Sequence, residues 1–352
     1  MSVVGKMKSM IKESKWGGYL LHSFIYVYMR DIAEVKSVLK SFHKHLSNEI
    51  MYDMINEHRK NQVPYNEYLL FHFDEYRDKS YRSSFINDVE RVDVANKLNL
   101  AENNPYFYDK AQTYQLFGEY YKRMIIRLDY KCSFEDFDGF VKKNKSFICK
   151  PIDGGCGIGI KIVSVQENTD IRWLFQQLIE EYEGKCFAEE LIVQVPLLSK
   201  LHPQSVNTVR VPTFLIGETV KVVHPFLRVG QKGSVTDNAG SGGIICALDD
   251  SGTVMATADE FGNIFVEHPD TKEKLIGFSL PEWDEALNMV KNLALLIPTN
   301  KYCSWDLALT DAGWVLVEAN AKGQFIWQYA TGIGFREELN EILKAIGSDE
   351  SH

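Results

Sequence analysis

The sequence lacks the features that mark several classes of protein. Its six cysteines are scattered without a C-x-x-C pair, which argues against a disulfide framework or a zinc site and is typical of a reduced cytoplasmic protein. The formal net charge is −9, whereas a protein that coats nucleic acid usually carries a basic stripe. We see no internal repeat and no low-complexity segment. With 45% hydrophobic and 25% charged residues among 352, the chain has room for two or three lobes.

The sequence also has no apolar run of the length that crosses a bilayer, about 20 residues. The apolar stretch 16–29 follows four lysines and contains His22 and Ser23, and no cleavage site of a signal peptide follows it. Two interpretations stay open, a buried helix with one apolar face or a basic amphipathic helix resting on a membrane surface. We expect a cytoplasmic protein without a transmembrane segment, with a peripheral position on the inner membrane face as the second interpretation.

Hydrophobic spacing divides the chain into three regions. Residues 1–104 carry apolar side chains at helical spacing and an aromatic-rich stretch, which predicts a helical N-terminal region with an aromatic core. Strands and helices alternate over 105–192, as in a small α+β lobe. Strands and hairpin turns dominate 193–352 and predict a large lobe built on an antiparallel sheet.

A glycine-rich segment lies between two short runs rich in Ile and Val, which predict strands. Lys150 ends the first run, and four glycines fall within 153–159. Glycine lets the backbone approach a ligand closely, and a lysine reaches a phosphate as a point charge. The spacing matches neither the dinucleotide fingerprint nor the Walker loop. The segment is therefore either a flap over nucleotide phosphates or a flexible hairpin.

The last predicted hairpin carries acidic residues in otherwise apolar strands. We expect Leu309 to pair with Val315 across the turn. The same register places Asp306 opposite Glu318, and Glu318 shares a face with Asn320 because side chains alternate along a strand. Two carboxylates and an amide oxygen suit Mg²⁺. The alternative is that the acids are merely polar strand ends, but facing like charges repel unless a cation lies between them.

The order of these motifs along the chain resembles that of ATP-grasp enzymes. The order is Lys110, then Lys150 with its flap, then the pair Glu189-Glu190, and last the set of Asp306, Glu318 and Asn320. Five motifs more closely resemble the sugar-transfer-associated ATP-grasp group, which is related to α-L-glutamate ligases. They are SVNTVRV at 205–211, DN at 237–238 with GGI at 242–244, HPDT at 268–271, WD at 305–306 and EAN at 318–320. The resemblance covers about 105–345, and the ordered set is more specific than any one motif.

The resemblance implies a role for each matched residue. The candidate nucleotide ligands are Lys110, Lys150, Asp153, Gly154, Gly155, Gly157, Glu189, Glu190 and Ile192. The candidate Mg²⁺ ligands are Asp306, Glu318 and Asn320. The candidate catalytic residues are Arg210, which would lie near the transferred phosphate, with Asn207, Arg228 and Lys322. The candidate substrate contacts are Asn238 and Gly243.

The implied fold class is α+β, an ATP-grasp fold in which two α+β lobes grip ATP, with a helical N-terminal region. The implied activity joins a small-molecule carboxylate to an amine, with ATP and Mg²⁺ as cofactors, through an acyl phosphate. The group name points to polysaccharide biosynthesis, with a sugar acid and an amino acid as the pair. Two alternatives stay open, a kinase that uses the same ATP site and a nucleotide-binding scaffold that turns nothing over.

Overall fold

The computed structural model describes residues 15–45, 47–152 and 159–349. Contacts divide the chain into two compact units, one up to Glu90 and one from Arg91 onward. This boundary lies earlier than residue 104, and the predicted bounds at 104 and 192 stay predictions. The reason lies in Asn99, whose Nδ2 donates hydrogen bonds to the carbonyl oxygens of Tyr302 at 2.8 Å and Ala321 at 2.7 Å. Residues just before 104 therefore belong to the second unit.

The first unit is helical, as predicted. Its helices are α1 (Lys15–Ser41), α2 (Asn48–Asn61), α3 (Tyr65–Leu70), α4 (Lys79–Ser84) and the start of α5 (Asp88–Leu98). Ser47 begins α2 because its hydroxyl accepts a hydrogen bond from the Ile50 N–H at 3.3 Å. The aromatic-rich stretch forms the core, with Phe71, Phe73 and Phe85 buried against one another. No helix within the described residues combines the length and apolarity that a membrane crossing requires.

The two interpretations of the apolar stretch 16–29 both stay predictions. The backbone of this stretch belongs to α1, whereas the side chains of residues 15–27 lie outside the described part of the structure. Which face of the helix carries its apolar side chains is therefore a question for experiment, and liposome co-sedimentation is the direct measurement.

The second unit begins with short helices and a four-stranded antiparallel sheet. The elements are α6 (Pro105–Tyr108), α7 (Lys110–Tyr121), β1 (Ile125–Leu128), α8 (Phe134–Lys143), β2 (Ser146–Pro151), β3 (Lys161–Ser164), α9 (Ile171–Glu181) and β4 (Cys186–Glu190), after the 3₁₀ turn Ala101–Asn103. The strand order is β1-β4-β2-β3. Phe137, Phe147 and Leu178 lie in the buried cluster between the sheet and α8 and α9.

A larger antiparallel sheet follows in the same unit. Its elements are α10 (Pro196–Ser199), β5 (Val209–Ile216), β6 (Thr219–Val222), β7 (Phe226–Val229), a 3₁₀ turn (Ala239–Ser241), β8 (Ile244–Leu248), β9 (Val254–Ala258), α11 (Trp283–Leu295), β10 (Tyr302–Thr310), β11 (Gly313–Asn320), α12 (Trp327–Thr331) and α13 (Arg336–Asp349). The order is β11-β10-β5-β7-β8-β9, and β6 pairs with β5. Val209, Val211 and Trp305 point into one buried cluster, which also contains Val290 and Leu293 of α11. Polar side chains alternate with them on the other face. The α+β prediction with two sheets is confirmed.

The register of the last hairpin differs from the prediction near the turn. Val315 pairs with Ala308, so the predicted pairing with Leu309 is wrong. A β-bulge between Asp306 and Leu307 then shifts the register by one residue and brings Asp306 opposite Glu318. The predicted facing pair of carboxylates is confirmed, although the register that led to it holds only on one side of the bulge.

Candidate functional site

A row of charged side chains crosses the polar face of the large sheet. Arg210 of β5 pairs with Asp306 of β10, which pairs in turn with Glu318 of β11. Residues that face each other on neighbouring strands project to the same side of a sheet. Strands that are otherwise apolar thus bring together three charged residues from distant parts of the sequence.

Asp306 is held by two arginines. Nε and Nη2 of Arg210 donate to its two carboxylate oxygens, each at 2.7 Å, and Nη2 of Arg228 donates to Oδ2 at 2.9 Å. Only 1% of Asp306 is exposed. Burial acts to raise the pKa of this carboxyl, but the charge of Arg210 and then that of Arg228 hold the pKa below its ordinary value. Asp306 is therefore an anion that fixes both guanidinium groups.

Glu318 has the opposite electrostatic setting. Its side chain is accessible to solvent, yet protein atoms crowd the carboxyl group. Desolvation and then the charge of Asp306 raise its pKa, while Arg210, Arg228 and Lys150 act against them. Two carboxylates that face each other with pKa values shifted in opposite directions would both be stabilised by a cation between them.

The oxygen-rich end of the row fits a magnesium ion. Asn320 lies two residues after Glu318 and shares its face of β11. The Nδ2 atom of Asn320 is buried without a hydrogen-bond partner among the described residues. Two carboxylates and an amide are the oxygen donors that Mg²⁺ accepts. The described residues contain no cluster of three His, Cys, Asp or Glu side chains suited to a metal, so Asn320 would have to complete the set.

Thr208 and Asp237 extend the row beyond Arg228, and sequence reasoning missed both as site residues. Nη2 of Arg228 donates to the Thr208 hydroxyl at 2.6 Å, and that hydroxyl donates to Asp237. The Thr208 N–H also donates to Asp237 Oδ2, at 2.8 Å. The sequence offered one signal for them: Thr208 lies in the SVNTVRV motif and Asp237 in the DN motif. Asp237 ties the loop that follows it to the arginine pair.

That loop carries the two predicted substrate contacts. Asn238 Oδ1 accepts a hydrogen bond from the Gly240 N–H at 3.3 Å and starts the 3₁₀ turn. The Gly243 N–H donates to the Asn238 carbonyl at 3.0 Å. A Cβ atom at position 243 would lie 2.3 Å from the Asp237 carbonyl oxygen, so only glycine fits there. These contacts require glycine at position 243 beside the charged row, and the contact of the loop with a substrate stays a prediction.

Asn207 does not face the row. It is fully buried, and its Nδ2 donates to the carbonyl oxygens of Leu198 at 2.9 Å and His202 at 3.0 Å. The same amide group contacts Gln194 Oε1 at 3.2 Å. Asn207 thus stabilises the segment that leads into β5, and its predicted contact with reacting groups stays a prediction. Lys322, the other predicted catalytic residue here, follows β11 and is half-buried.

Lys150 belongs to a buried ionic chain on the face of the small sheet opposite its buried cluster. Its Nζ lies 2.8 Å from Glu189 Oε2, and Nη2 of Arg123 lies 3.2 Å from the same oxygen. Nη1 of Arg123 donates to the Leu316 carbonyl of β11 at 2.5 Å. Burial acts to raise the pKa of Glu189, but the charges of Lys150 and Arg123 hold it below the ordinary value. Sequence reasoning missed Arg123, which links the two sheets.

This ionic chain changes the interpretation of Glu189, which the resemblance placed near a nucleotide. The carboxylate is occupied by two cations and holds Lys150. Glu190 Oε2 accepts a hydrogen bond from the Met124 N–H at 3.0 Å, and Ile192 is half-buried after β4. Contacts of these three residues with a nucleotide stay predictions.

Lys110 contacts the chain at the end of β2, just before the glycine-rich segment begins in the sequence. The Nζ atom of Lys110 donates to the carbonyl oxygens of Pro151 at 3.0 Å and Ile152 at 3.4 Å. The predicted flap residues Asp153, Gly154, Gly155 and Gly157 lie outside the described residues. The structure therefore brings Lys110 to the base of the flap, and the role of the flap itself stays a prediction.

The chain is similar to known proteins in family and in fold. The family model described as sugar-transfer associated ATP-grasp matches residues 90–344. No curated protein matches the chain. Similar solved structures include D-alanyl-alanine synthetase A from Vibrio cholerae O1 biovar eltor, with 11% identity over 70% of this chain and 66% of that one and a TM-score of 0.41.

Two further solved structures are similar at the same level. The ATP-grasp ligase PsnB with a minimal precursor has 14% identity over 71% of this chain and 63% of that one, with a TM-score of 0.43. The D-alanine-D-alanine ligase from Coxiella burnetii has 9% identity over 72% and 61%, with a TM-score of 0.42. The chain thus spans slightly less than two thirds of each structure's length. The match of the family model covers well over half of the 352 residues, and the chain belongs to the sugar-transfer associated ATP-grasp family.

Proposed function

We propose that the protein is an ATP-dependent carboxylate–amine ligase that forms an amide through an acyl phosphate. The observation that carries the proposal is the buried row in which Arg210 and Arg228 grip Asp306 beside Glu318. Two fixed guanidinium groups next to an acidic pair suit a reaction in which negative charge moves between a phosphoryl group and a carboxylate. Family membership supports ATP as the phosphoryl donor.

The small sheet supports a nucleotide on the face opposite its buried cluster. Ile125 pairs with Glu189, which pairs with Ile148, and Ile148 pairs with Ile162. These side chains share the face opposite the aromatic cluster, and Ile162 is 56% exposed. The isoleucines of this row, two of them half-buried and one exposed, would provide a surface for a flat base with the phosphates near Lys150.

Lys150 would contribute a positive charge at a fixed position. Glu189 is buried beside it, and the ion pair at 2.8 Å holds the ammonium group in position. Lys150 also lies near enough to Glu318 to oppose, by its charge, the desolvation and the repulsion from Asp306 that raise the pKa of Glu318. The lysine on one sheet and the carboxylates on the other would thus face the same phosphates.

Asp306, Glu318 and Asn320 would hold Mg²⁺. When bound, the ion neutralises charge on the phosphate oxygens and orients them. Arg210 and Arg228 keep their donors fixed because Asp306 and Thr208 hold them, so little reorganisation is needed as charge develops on the reacting groups. The chemistry requires no protein nucleophile, since the amine attacks the activated carboxylate directly.

For the substrates we propose a sugar acid and an amino acid in polysaccharide biosynthesis, in the cytoplasm. The description of the family as sugar-transfer associated supports this pair. The loop at Asn238 and Gly243 is the part of the site that we assign to substrate selection, because Asp237 connects it to Arg228 through Thr208.

The test of the reaction is an ADP-release screen that crosses amino acids with uronic acids and sugar nucleotides. A ligase releases ADP and phosphate only when both an acid and an amine are present, and the product mass equals the two substrates minus water. A phosphorylated product without an amine would identify a kinase instead. ATP binding without ADP release from any mixture would identify a scaffold and contradict the ligase proposal.

We expect Glu189→Gln to raise the KM for ATP about 10-fold, the usual size of an outer-sphere effect on a ligand site. The change removes the charge that holds Lys150 while it keeps the size of the side chain. Glu181→Gln is the matched control, since Glu181 pairs with Lys161 at the same 2.8 Å but both side chains are about half exposed, and surface pairs contribute little. Equal KM values for both variants and the wild type would contradict the role of Glu189.

A further inference from the structure

Ser304 lies next to the proposed metal ligands. It pairs with Asn320 across β10 and β11, two residues before Asp306 and two after Glu318 on their strands. Because side chains alternate along a strand, Ser304 and Asn320 share the face that carries the two carboxylates. None of the sequence motifs points to Ser304, so its place beside the site comes from the sheet alone.

Both members of this pair carry a buried polar atom without a partner. Ser304 is 0% exposed. Neither its Oγ nor the Nδ2 of Asn320 has a hydrogen-bond partner within the part of the chain that the structure describes. Buried polar atoms left unpaired are rare and destabilising. The two atoms do not bond to each other here, and a rotation of the Asn320 amide that makes a single hydrogen bond from Nδ2 to Ser304 Oγ would satisfy both.

The backbone after β11 fixes the position of Ser304. A Cβ atom on Gly323 would lie 2.2 Å from the Ser304 Cβ and 2.6 Å from its Oγ. The Tyr302 hydroxyl donates to the Gly323 carbonyl at 2.7 Å and holds this glycine in place. Ser304 therefore has little freedom to move. It faces Pro212 on β5 and Asn320 on β11, and of these two only Asn320 has a side-chain donor.

We propose that Ser304 is a positioning residue for Asn320 as a ligand of a divalent cation. An asparagine amide presents its oxygen to a cation only when its NH₂ group, which is a donor, turns away from it. A hydroxyl that accepts from Nδ2 fixes that orientation, as outer partners of metal ligands commonly do. Ser304 acts through Asn320 and does not itself contact the ion. The inference rests on the proposed function only where it takes Asp306, Glu318 and Asn320 as the ligands.

The test uses Mn²⁺ as the probe, with a nonhydrolysable ATP analogue and the full chain, and free Mn²⁺ is measured by electron paramagnetic resonance. Ser304→Ala should weaken Mn²⁺ binding about 10-fold. The melting temperature of the ligand-free protein should stay the same or rise, because the lost hydroxyl has no partner. A merely structural role would lower the melting temperature and leave the Mn²⁺ affinity unchanged.

Asn320→Asp provides the matched background. A carboxylate has two equivalent oxygens and needs no partner to orient it, so Ser304→Ala should have no further effect on Mn²⁺ binding there. Wild-type affinity in Ser304→Ala, or an equal loss in the Asn320→Asp background, would overturn the proposal. If Ser304→Ala does not fold, Ser304→Cys keeps the size with a weak acceptor and is interpreted in the same way.

The same measurements separate this inference from the ligase proposal. Wild-type protein that binds Mn²⁺ with the analogue, but releases no ADP with any substrate mixture, would contradict the ligase and support the role of Ser304 if the variant loses affinity. Wild-type protein that binds no Mn²⁺ with the analogue would overturn the metal ligands and the role of Ser304 together.

Discussion

Asp306→Ala is expected to lower the free energy of unfolding by about 3–5 kcal/mol, the usual loss when one partner of a buried ion pair is removed. The side chains of Asp306, Arg210 and Arg228 are each at least nine-tenths buried. Removal of the carboxylate leaves two guanidinium groups side by side without their shared anion. Urea unfolding monitored by tryptophan fluorescence measures the change, because several tryptophans lie in the core of the second unit.

Asp311→Ala is the matched control for this prediction. Asp311 lies at the exposed turn of the same hairpin, and a substitution there should change stability by no more than about 0.5 kcal/mol. An equally small effect at Asp306 would show that the arginines find other partners and would remove the argument that Asp306 fixes them.

The pH dependence follows from the direction of the pKa shift. The folded-state pKa of Asp306 lies below its ordinary value of 3.8, so its contribution to stability is complete above that value and is lost as the pH falls through the lowered pKa. The difference between wild type and Asp306→Ala should therefore be constant across the neutral range. A difference that changes between neutral and mildly alkaline pH would indicate that another group carries the effect.

The facing carboxylates of Asp306 and Glu318 show what side-chain alternation along a strand can predict and what it cannot. Alternation alone predicts that Glu318 and Asn320 share a face, and they do. The bulge beside Asp306 was not predictable, because Val317, the residue it leaves without a partner, is apolar and fits either register. The prediction that Asp306 faces Glu318 started from an incorrect pairing of Val315. The register changes at the bulge, so the pairing near the turn and the pairing at Asp306 follow different registers.

The long-range ion pairs were beyond sequence reasoning. Arg210 and Asp306 are 96 residues apart, and Arg123 and Glu189 are 66 apart. Only the order of strands in the sheets brings them together. The contacts of Asn207 were equally out of reach, since the motif that contains it does not show that its amide donates to the carbonyl oxygens of Leu198 and His202.

The helical N-terminal region and the two sheets were within reach of sequence pattern, because periodicity reports local structure. The end of the first unit at Glu90 could not be predicted from such a pattern. It depends on contacts such as those of Asn99 with the carbonyls of Tyr302 and Ala321, about 200 residues later. Local patterns thus predict elements, while boundaries and sites depend on contacts that no local pattern contains.

Glu318→Gln is expected to reduce ADP release roughly 100-fold or more, the loss that follows removal of one charge-stabilising group from an active site. Glutamine keeps the size and one oxygen but not the charge that would hold Mg²⁺ beside Asp306. The remaining activity should require a higher Mg²⁺ concentration. The measurement is the rate of ADP release against Mg²⁺ at saturating ATP, with Glu218→Gln at the exposed β5–β6 turn as the control.

Stability separates this loss from damage to the fold. The folded-state pKa of Glu318 is raised above its ordinary value of 4.5, so the folded protein binds this proton more tightly than the unfolded chain. Its favourable contribution is present below the ordinary pKa and is lost as the pH rises through the raised one. Ionisation of Glu318 therefore costs more in the folded protein than in the unfolded chain, and Glu318→Gln, which cannot ionise, should be at least as stable as the wild type. A stable variant with wild-type activity and wild-type Mg²⁺ dependence would contradict Glu318 as a metal ligand. A variant that is inactive but stable would locate the loss in the site, which Asp306→Ala cannot do because it also removes the partner of two buried arginines.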